Sequence, residues 1–161
     1  MRFVIWSVAG GLLLAGTVFA VGWLLPPGRE GRASVVIDAA PKRVLEVIRA
    51  VELQPQWRAG IASVTPTPDG WAEVTARGER ITFVAEQADE SQVRLRFSSD
   101  AGYAGTWEAT LTPEGKGTRI AVVERAEVPS PPGRILARIF FDPDAFATDY
   151  LAALKARSEG K

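Results

Sequence analysis

The 161-residue chain contains no histidine, no cysteine and no asparagine. Without the first two there is no Ser-His-Asp or Cys-His catalysis, no disulfide framework, no thiolate redox centre and no zinc site of the usual nitrogen and sulfur kind. Any chemistry must run on carboxylates, arginine, lysine, tyrosine, hydroxyls or backbone, and the inventory asks for no cofactor and no metal. Net charge is also missing. Nineteen basic residues cancel nineteen acidic ones, so nothing attracts a polyanion over long range and a nucleic-acid partner is not expected. What remains is long enough for one domain with a proper core.

Two materials share the chain. Phe3 to Leu25 reads FVIWSVAGGLLLAGTVFAVGWLL, 23 residues without a charge. Twelve of them are Leu, Ile, Val or Phe, worth roughly −4 to −7 kcal/mol at the centre of a bilayer helix. Trp6 and Trp23 stand 17 residues apart, about 25 Å along a helix, the separation of the two aromatic belts of a membrane. The segment therefore predicts a single-pass membrane anchor ending at Pro26-Pro27-Gly28, which divides the chain into an anchor and linker (1–28) and a domain (29–161).

A cleaved signal peptide, cut after Val18-Phe19-Ala20, is the competing reading, but the apolar run exceeds a signal core and continues past that cut. Ser7, Gly11 and Ala15 repeat small residues at the spacing of a helix-pairing face, which leaves a weak homodimer through this helix open. Arg2 alone precedes the span, whereas Arg29, Arg32, Lys42 and Arg43 follow it, so the positive-inside count leans to a cytoplasmic domain. A default N-in anchor would place it outside. The linker, Pro26 to about Arg32, reaches about 25 Å when extended.

The domain carries eighteen basic and nineteen acidic residues. Ala33 to Ala39 reads as a β-branched strand. Pro41 stands at a first helical position, and Val44, Leu45, Val47 and Ile48 form an apolar stripe at helical spacing. Pro55 ends or restarts that helix, and Trp57 closes a short second turn. Six further strands follow at the regular spacing of an antiparallel sheet: 61–65, 71–77, 80–87, 92–98, 105–112 and 117–128. The Gly115-Lys116-Gly117-Thr118 stretch joins two of them and reads as a hairpin, not a phosphate loop.

Alternation sorts the faces. Ile81, Phe83 and Ala85 share one side, as do Val93, Leu95 and Phe97, then Trp107, Ala109 and Leu111, then Ile120 and Val122. Glu73 and Glu108 alternate with apolar neighbours and read as solvent-facing. The apolar face needs a cover, and the amphipathic pattern from Pro132 to Arg157, broken or kinked at Pro143, supplies it. Asp142 or Asp144 caps the second segment. A sheet too wide for one helix leaves space beneath it.

The runs VVIDAAPKRVLEVIRAVELQPQW and GTWEATLTPEGKGTRI, with a Pro-rich turn and a final amphipathic helix, resemble the SRPBCC superfamily, the START-like and Bet v 1-like helix-grip proteins of the polyketide cyclase/dehydrase and lipid transport type. The resemblance covers about residues 33–157. It implies an α+β helix-grip fold of β-α-α-β6-α order, a seven-stranded antiparallel sheet wrapped around a long C-terminal helix, and a hydrophobic cavity between them for lipids, sterols, polyketides, quinones or other apolar ligands. Most members bind and some catalyse.

Against that frame Trp57, in the PxW element, reads as a core plug before a ligand contact, and Trp107, in the GTW element, as core before cavity wall. Phe83, Leu95, Phe97, Ile139, Phe140, Phe146 and Tyr150 are candidate lining residues, each as readily plain core. The Tyr150 hydroxyl orients a ligand oxygen or reaches solvent.

Glu124 is the most informative residue. It is in phase with Ile120 and Val122, so alternation puts a carboxylate on the inner face, where it must be paired, wetted by a cavity or turned outward. A register change near Ala126, or a salt bridge with Arg134 or Arg138, ranks ahead of a functional role. In that role Glu124 is a general acid or base, or holds a ligand's polar end.

Three functions follow in order. The first is a membrane-tethered protein that binds a hydrophobic small molecule or lipid, and the second is a cyclase- or dehydratase-like enzyme using Glu124 and Tyr150, ranked lower because histidine is missing. The third is an interaction module with a collapsed cavity.

Overall fold

A computed structural model describes residues 14–160. Helix α1 spans residues 14–24, followed by strand β1 (Gly28–Ile37), helix α2 (Pro41–Arg49) and a 3-10 turn (Val51–Gln56). Six strands come next: β2 (Ile61–Thr67), β3 (Gly70–Thr75), β4 (Arg80–Ala88), β5 (Gln92–Ser99), β6 (Ala104–Glu114) and β7 (Gly117–Glu127). Helices α3 (Pro131–Phe140) and α4 (Pro143–Ser158) end the chain.

The seven strands form one antiparallel sheet in the order β1-β7-β6-β5-β4-β3-β2. The meander from β2 to β7 builds six of them, and β1 closes on β7 after α2 and the 3-10 turn carry the chain to the far edge. Gly115, at φ +59°, and Lys116 alone separate paired Glu114 and Gly117. A positive φ at the first turn position only is the type II′ pattern, so this glycine sets the last hairpin.

Helix termini follow local chemistry. Asp142 Oδ1 accepts from the Asp144 and Ala145 amides at 3.0 and 3.1 Å, with Pro143 next in the first turn, so Asp142 caps α4. Asp144 has another task. Its Oδ1 accepts the Arg32 amide at 2.7 Å and ties the start of α4 to β1. Ser130 Oγ accepts the Gly133 amide at the start of α3.

The core is asymmetric. Ala147, Leu151, Leu154 and Ser158, one stripe of α4 at helical spacing, are buried. They pack over β1, with further contact to α2 and β7. Ile37, Val44, Ile120 and Leu154 there are fully enclosed. The close contacts of α4 lie toward the β1 edge of the sheet, with β1, α2 and β7. One helix is about 10 Å across and neighbouring strands lie about 4.8 Å apart, so a seven-stranded sheet outruns its cover.

Several expectations need correction. The single long C-terminal helix that the resemblance implies is two helices, broken at Pro143 as the sequence predicts, since Phe141 is extended (φ −131°, ψ 121°) and Pro143 lacks the donor to continue α3. No residue of α3 is buried; Leu136, Ile139 and Phe140 are 54, 64 and 78 % exposed, so α3 does not cover the sheet. Its position is fixed by arginines instead. Arg29 donates to the Ala137 and Phe141 carbonyls at its C-terminal end. The second predicted helical turn is a 3-10 segment around Pro55.

β1 begins at Gly28, not Ala33, and the Val128 amide donates to the Pro27 carbonyl at 3.0 Å, so almost no free linker separates domain from N-terminal segment. Arg134 donates to the Leu25 carbonyl at 3.1 Å and more distantly to those of Gly22 and Trp23, while Arg138 donates to Pro26 at 2.8 Å. These guanidinium groups satisfy carbonyls that a helix C-terminus leaves unpaired. α1 exposes Leu14, Phe19, Trp23 and Leu24. No helix among the described residues is long and apolar enough to cross a membrane. α1 is the last part of the predicted span, and residues 3–13, with Trp6, Ser7 and Gly11, lie outside the described residues.

Candidate functional site

Where α4 leaves the sheet uncovered, an aromatic ladder forms the floor. Trp71, Phe83 and Phe97 face one another across β3, β4 and β5 in register. Their ring centroids are 5.3 and 5.9 Å apart, and Tyr103 continues the row at 6.2 Å. A cavity of about 1040 Å³ lies above this ladder, beneath the 3-10 turn and the flank of α4. That is the upper end of the usual ligand-pocket range. Exposed residues such as Gly60, Arg77, Phe140 and Phe146 also line it, so it opens to the surface.

Trp57, Phe83, Leu95, Phe97, Trp107, Glu124, Phe140, Phe146 and Tyr150 all face this space. Ile139 does not: on α3 it points to solvent. Leu95, Phe97 and Trp107 are buried and belong to both core and wall. Phe140 and Phe146 stand at the rim, Phe146 packed on Phe141 at 5.5 Å. Tyr150 reaches out from the side of the buried α4 stripe. Its ring meets Trp107 edge-on at 5.4 Å and Trp57 at 5.9 Å, and burial pushes its phenol well above the usual range.

Both structural explanations for Glu124 fail. β7 keeps register with β1 and β6 through Ala126, so no bulge turns Glu124 away. Arg134 and Arg138 spend their donors on backbone carbonyls. Glu124 therefore opposes Trp107 and faces the cavity. Loss of water pushes its carboxyl up to about 7; the Arg58 charge opposes that rise and the Glu73 carboxylate adds to it. A carboxyl near 7 exchanges its proton at neutral pH.

Glu73 is the second correction. It is 1 % exposed, not solvent-facing. Arg58 Nη1 donates to its two oxygens at 3.1 and 3.0 Å, and Trp71 Nε1 donates to it at 3.2 Å. Arg58 also donates to the buried Gln54 and lies 5.3 Å over the Tyr150 ring. Two long side chains are thereby held in one geometry, each charge balanced and hydrogen-bonded, as burial demands. Glu108 does lie on the outer face, with Arg125 at 3.2 Å and Arg94 at 3.5 Å.

Along the same wall Glu79 accepts a hydrogen bond from Ser99 Oγ, while its own amide donates to Thr75 Oγ1 at 3.1 Å. Burial and this carboxylate together raise the Tyr103 phenol. Trp71, Arg58, Glu73, Glu79 and Tyr103 were not among the candidates, although Trp71 carried a usable signal. Trp71, Glu73 and Thr75 share one phase of β3, so an inward Trp71 brings Glu73 with it. Among the described residues no group of three acidic side chains is placed to hold a metal.

Comparison with known proteins bears on this geometry. The model of a family described as polyketide cyclase / dehydrase and lipid transport matches residues 29–159. A START superfamily protein from Mycobacterium smegmatis is similar over 81 % of this chain and 97 % of its own, with a TM-score of 0.62 and 18 % identity. The ZhuI aromatase/cyclase from Streptomyces sp. R1128 is similar over 82 % of this chain and 94 % of its own, with a TM-score of 0.67 and 12 % identity. A conserved protein from Geobacillus kaustophilus gives a TM-score of 0.68 at 13 % identity, over 82 % of this chain and 96 % of its own. At these identities the likeness is one of fold. No curated protein matches the chain.

Proposed function

The chain belongs to the polyketide cyclase / dehydrase and lipid transport family, and from that premise we propose that it binds a hydrophobic small molecule in the cavity between the sheet and α4, close to a membrane. The observation that carries the reading is the cavity itself: about 1040 Å³, floored by Trp71, Phe83 and Phe97. Burying an apolar ligand against such walls gains about 25 cal/mol for each Å² removed from water. An interaction module with a collapsed interior draws no support from an inner face this open.

The membrane part rests on the charge-free run from Phe3 to Leu25 and on the exposed Leu14, Phe19, Trp23 and Leu24 of α1. Leu136, Ile139 and Phe140 add apolar surface beside the cavity rim. Apolar ligands concentrate in lipid, so a rim near the bilayer shortens their path. The side of the membrane follows the positive-inside count, which favours the cytoplasmic face.

Native mass spectrometry of the full-length protein released from detergent tests both parts. A retained lipid-sized mass and saturable uptake of fluorescent fatty acids, quinones or sterols are expected. A folded protein that takes up none of them, and that is recovered without membrane, overturns the proposal.

A second reading is supported by one observation, the Glu124 carboxyl near 7 within a cavity that also holds the Tyr150 phenol. These groups are able to move protons on a polyketide-like substrate, the class in the family's description, and an aromatase/cyclase stands among the similar structures. Turnover of a polycarbonyl substrate that disappears in Glu124→Gln, with folding unchanged, would raise this reading above the first.

A further inference from the structure

The charges around the cavity are not balanced where it is deepest. Four arginines line it: Arg29, Arg49, Arg58 and Arg77. Arg29 donates to the Ala137 and Phe141 carbonyls and Arg49 to those of Ala88 and Asp89, while Arg77 is exposed at the rim. Only Arg58 reaches the interior, and Glu73 neutralises it at 3.0 Å. The carboxylates of Glu79 and Glu124 are left over inside, with that of Asp149 on the exposed flank of α4. Hydroxyls occupy Glu79, those of Ser99 and Tyr103. No hydrogen bond or ion pair reaches Glu124 among the described residues.

The wall beside that carboxylate is aromatic. Trp107 is its cross-strand partner, Tyr150 meets Trp107 at 5.4 Å, and the rings of Trp57, Phe97, Phe83 and Trp71 line the same cavity further along the sheet. Such rings attract positive charge through their quadrupoles. The cavity already uses this force once, in Arg58 over Tyr150 at 5.3 Å.

Resting on the binding function proposed above, we infer that the cavity selects an apolar organic cation, a hydrophobic body carrying an amine or quaternary ammonium, with Glu124 as the counter-charge and the aromatic walls around the nitrogen. The energetic argument is one of exclusion. A neutral ligand that expels the cavity's water drives Glu124 to take up a proton and gains nothing from its charge. A carboxylate ligand adds a like charge beside Glu124, and the one nearby cation, Arg58, is already neutralised by Glu73. A ligand cation restores the balance and needs no rearrangement of the Arg58–Glu73 pair. Fatty acids, which share the apolar body, are disfavoured by the same arithmetic.

The test uses three ligands of one ring skeleton, a naphthylmethylammonium, a naphthylmethanol and a naphthoate, titrated calorimetrically at neutral pH into the full-length protein. The ammonium is expected to bind roughly tenfold more tightly than the alcohol and the naphthoate more weakly than both. Glu124→Gln brings the ammonium to the level of the alcohol; Glu124→Asp restores part of the preference. A wild-type protein that binds the naphthoate as tightly as the ammonium overturns the inference, as does Glu124→Gln weakening the ammonium and alcohol equally. Saturable binding of the alcohol with no ammonium advantage removes the charge preference alone. Failure of the folded protein to bind any of the three overturns this inference, while the binding function stands or falls on the uptake of quinones and sterols.

Discussion

The two halves of the sheet are made of the same kinds of residue and end in opposite states. Under α4, Ile37, Ile120, Val122, Leu151 and Leu154 close on one another without space. Across β3, β4 and β5, Phe83, Trp71 and Tyr103 are as apolar, yet they stay half-buried around an open volume. Side-chain hydrophobicity does not separate core from cavity here. Helix position does: a residue facing α4 finds a partner, and one beyond its reach finds a void. The open half also holds the buried Arg58–Glu73 pair, while at the end of the closed half Lys155 pairs with the largely buried Glu159.

The sharpest break in that contrast is Arg58→Ala. It leaves Glu73 buried without its cation and costs about 3–5 kcal/mol, as much as a core truncation although it lies in the open half. Urea denaturation checks this. Arg58→Met combined with Glu73→Leu recovers most of the loss, because the desolvated charges go together.

In the closed half, Leu154→Ala, at a fully enclosed site, costs about 2–5 kcal/mol with ligand uptake preserved in the folded fraction. Phe83→Ala in the open half costs less, because it enlarges an existing void, but reduces uptake. A Phe83→Ala loss equal to that of Leu154→Ala would erase the distinction between the halves.

Glu124→Gln reads the open half by pH. The Glu124 carboxyl rises from 4.5 to about 7 on folding, so the native state holds the proton more tightly than the unfolded chain. Its contribution is full below about 4.5 and is lost as pH climbs through 7. Relative to wild type the variant is therefore neutral at pH 4 and more stable at pH 8, by about 2–3 kcal/mol. Melting curves across that interval give the difference directly. The smallest effect belongs to Ile139→Ser on exposed α3, less than about 0.5 kcal/mol in stability, with weaker recovery in the membrane fraction.

Much of this was legible in the chain. Val93, Leu95 and Phe97 alternate with Arg94, Arg96 and Ser98, and β5 is buried in that rhythm because one face is covered and the other wet. Glu124 was found by the same phase. Glu73 was missed because β3 is short and its other phase, Ala72 and Val74, is also apolar. Arg58 was invisible for a different reason. Its partner lies fifteen residues further along the chain, on β3, and nothing local distinguishes a buried guanidinium from an exposed one. α3 shows the remaining limit: an amphipathic stripe announces an apolar face but not what that face meets, and Leu136 and Ile139 meet solvent.

The Arg134 and Arg138 clasps on the carbonyls of residues 22–26, with β1 beginning at Gly28, make the junction a bracket and not a leash. A leash fixes distance and leaves aim to diffusion. A bracket transmits aim: the tilt of the N-terminal segment becomes the bearing of the cavity rim, as a compass housing sets where the needle card is read. Lengthening the Pro26-Pro27 joint would keep the domain attached to the N-terminal segment but free its bearing from that segment's tilt.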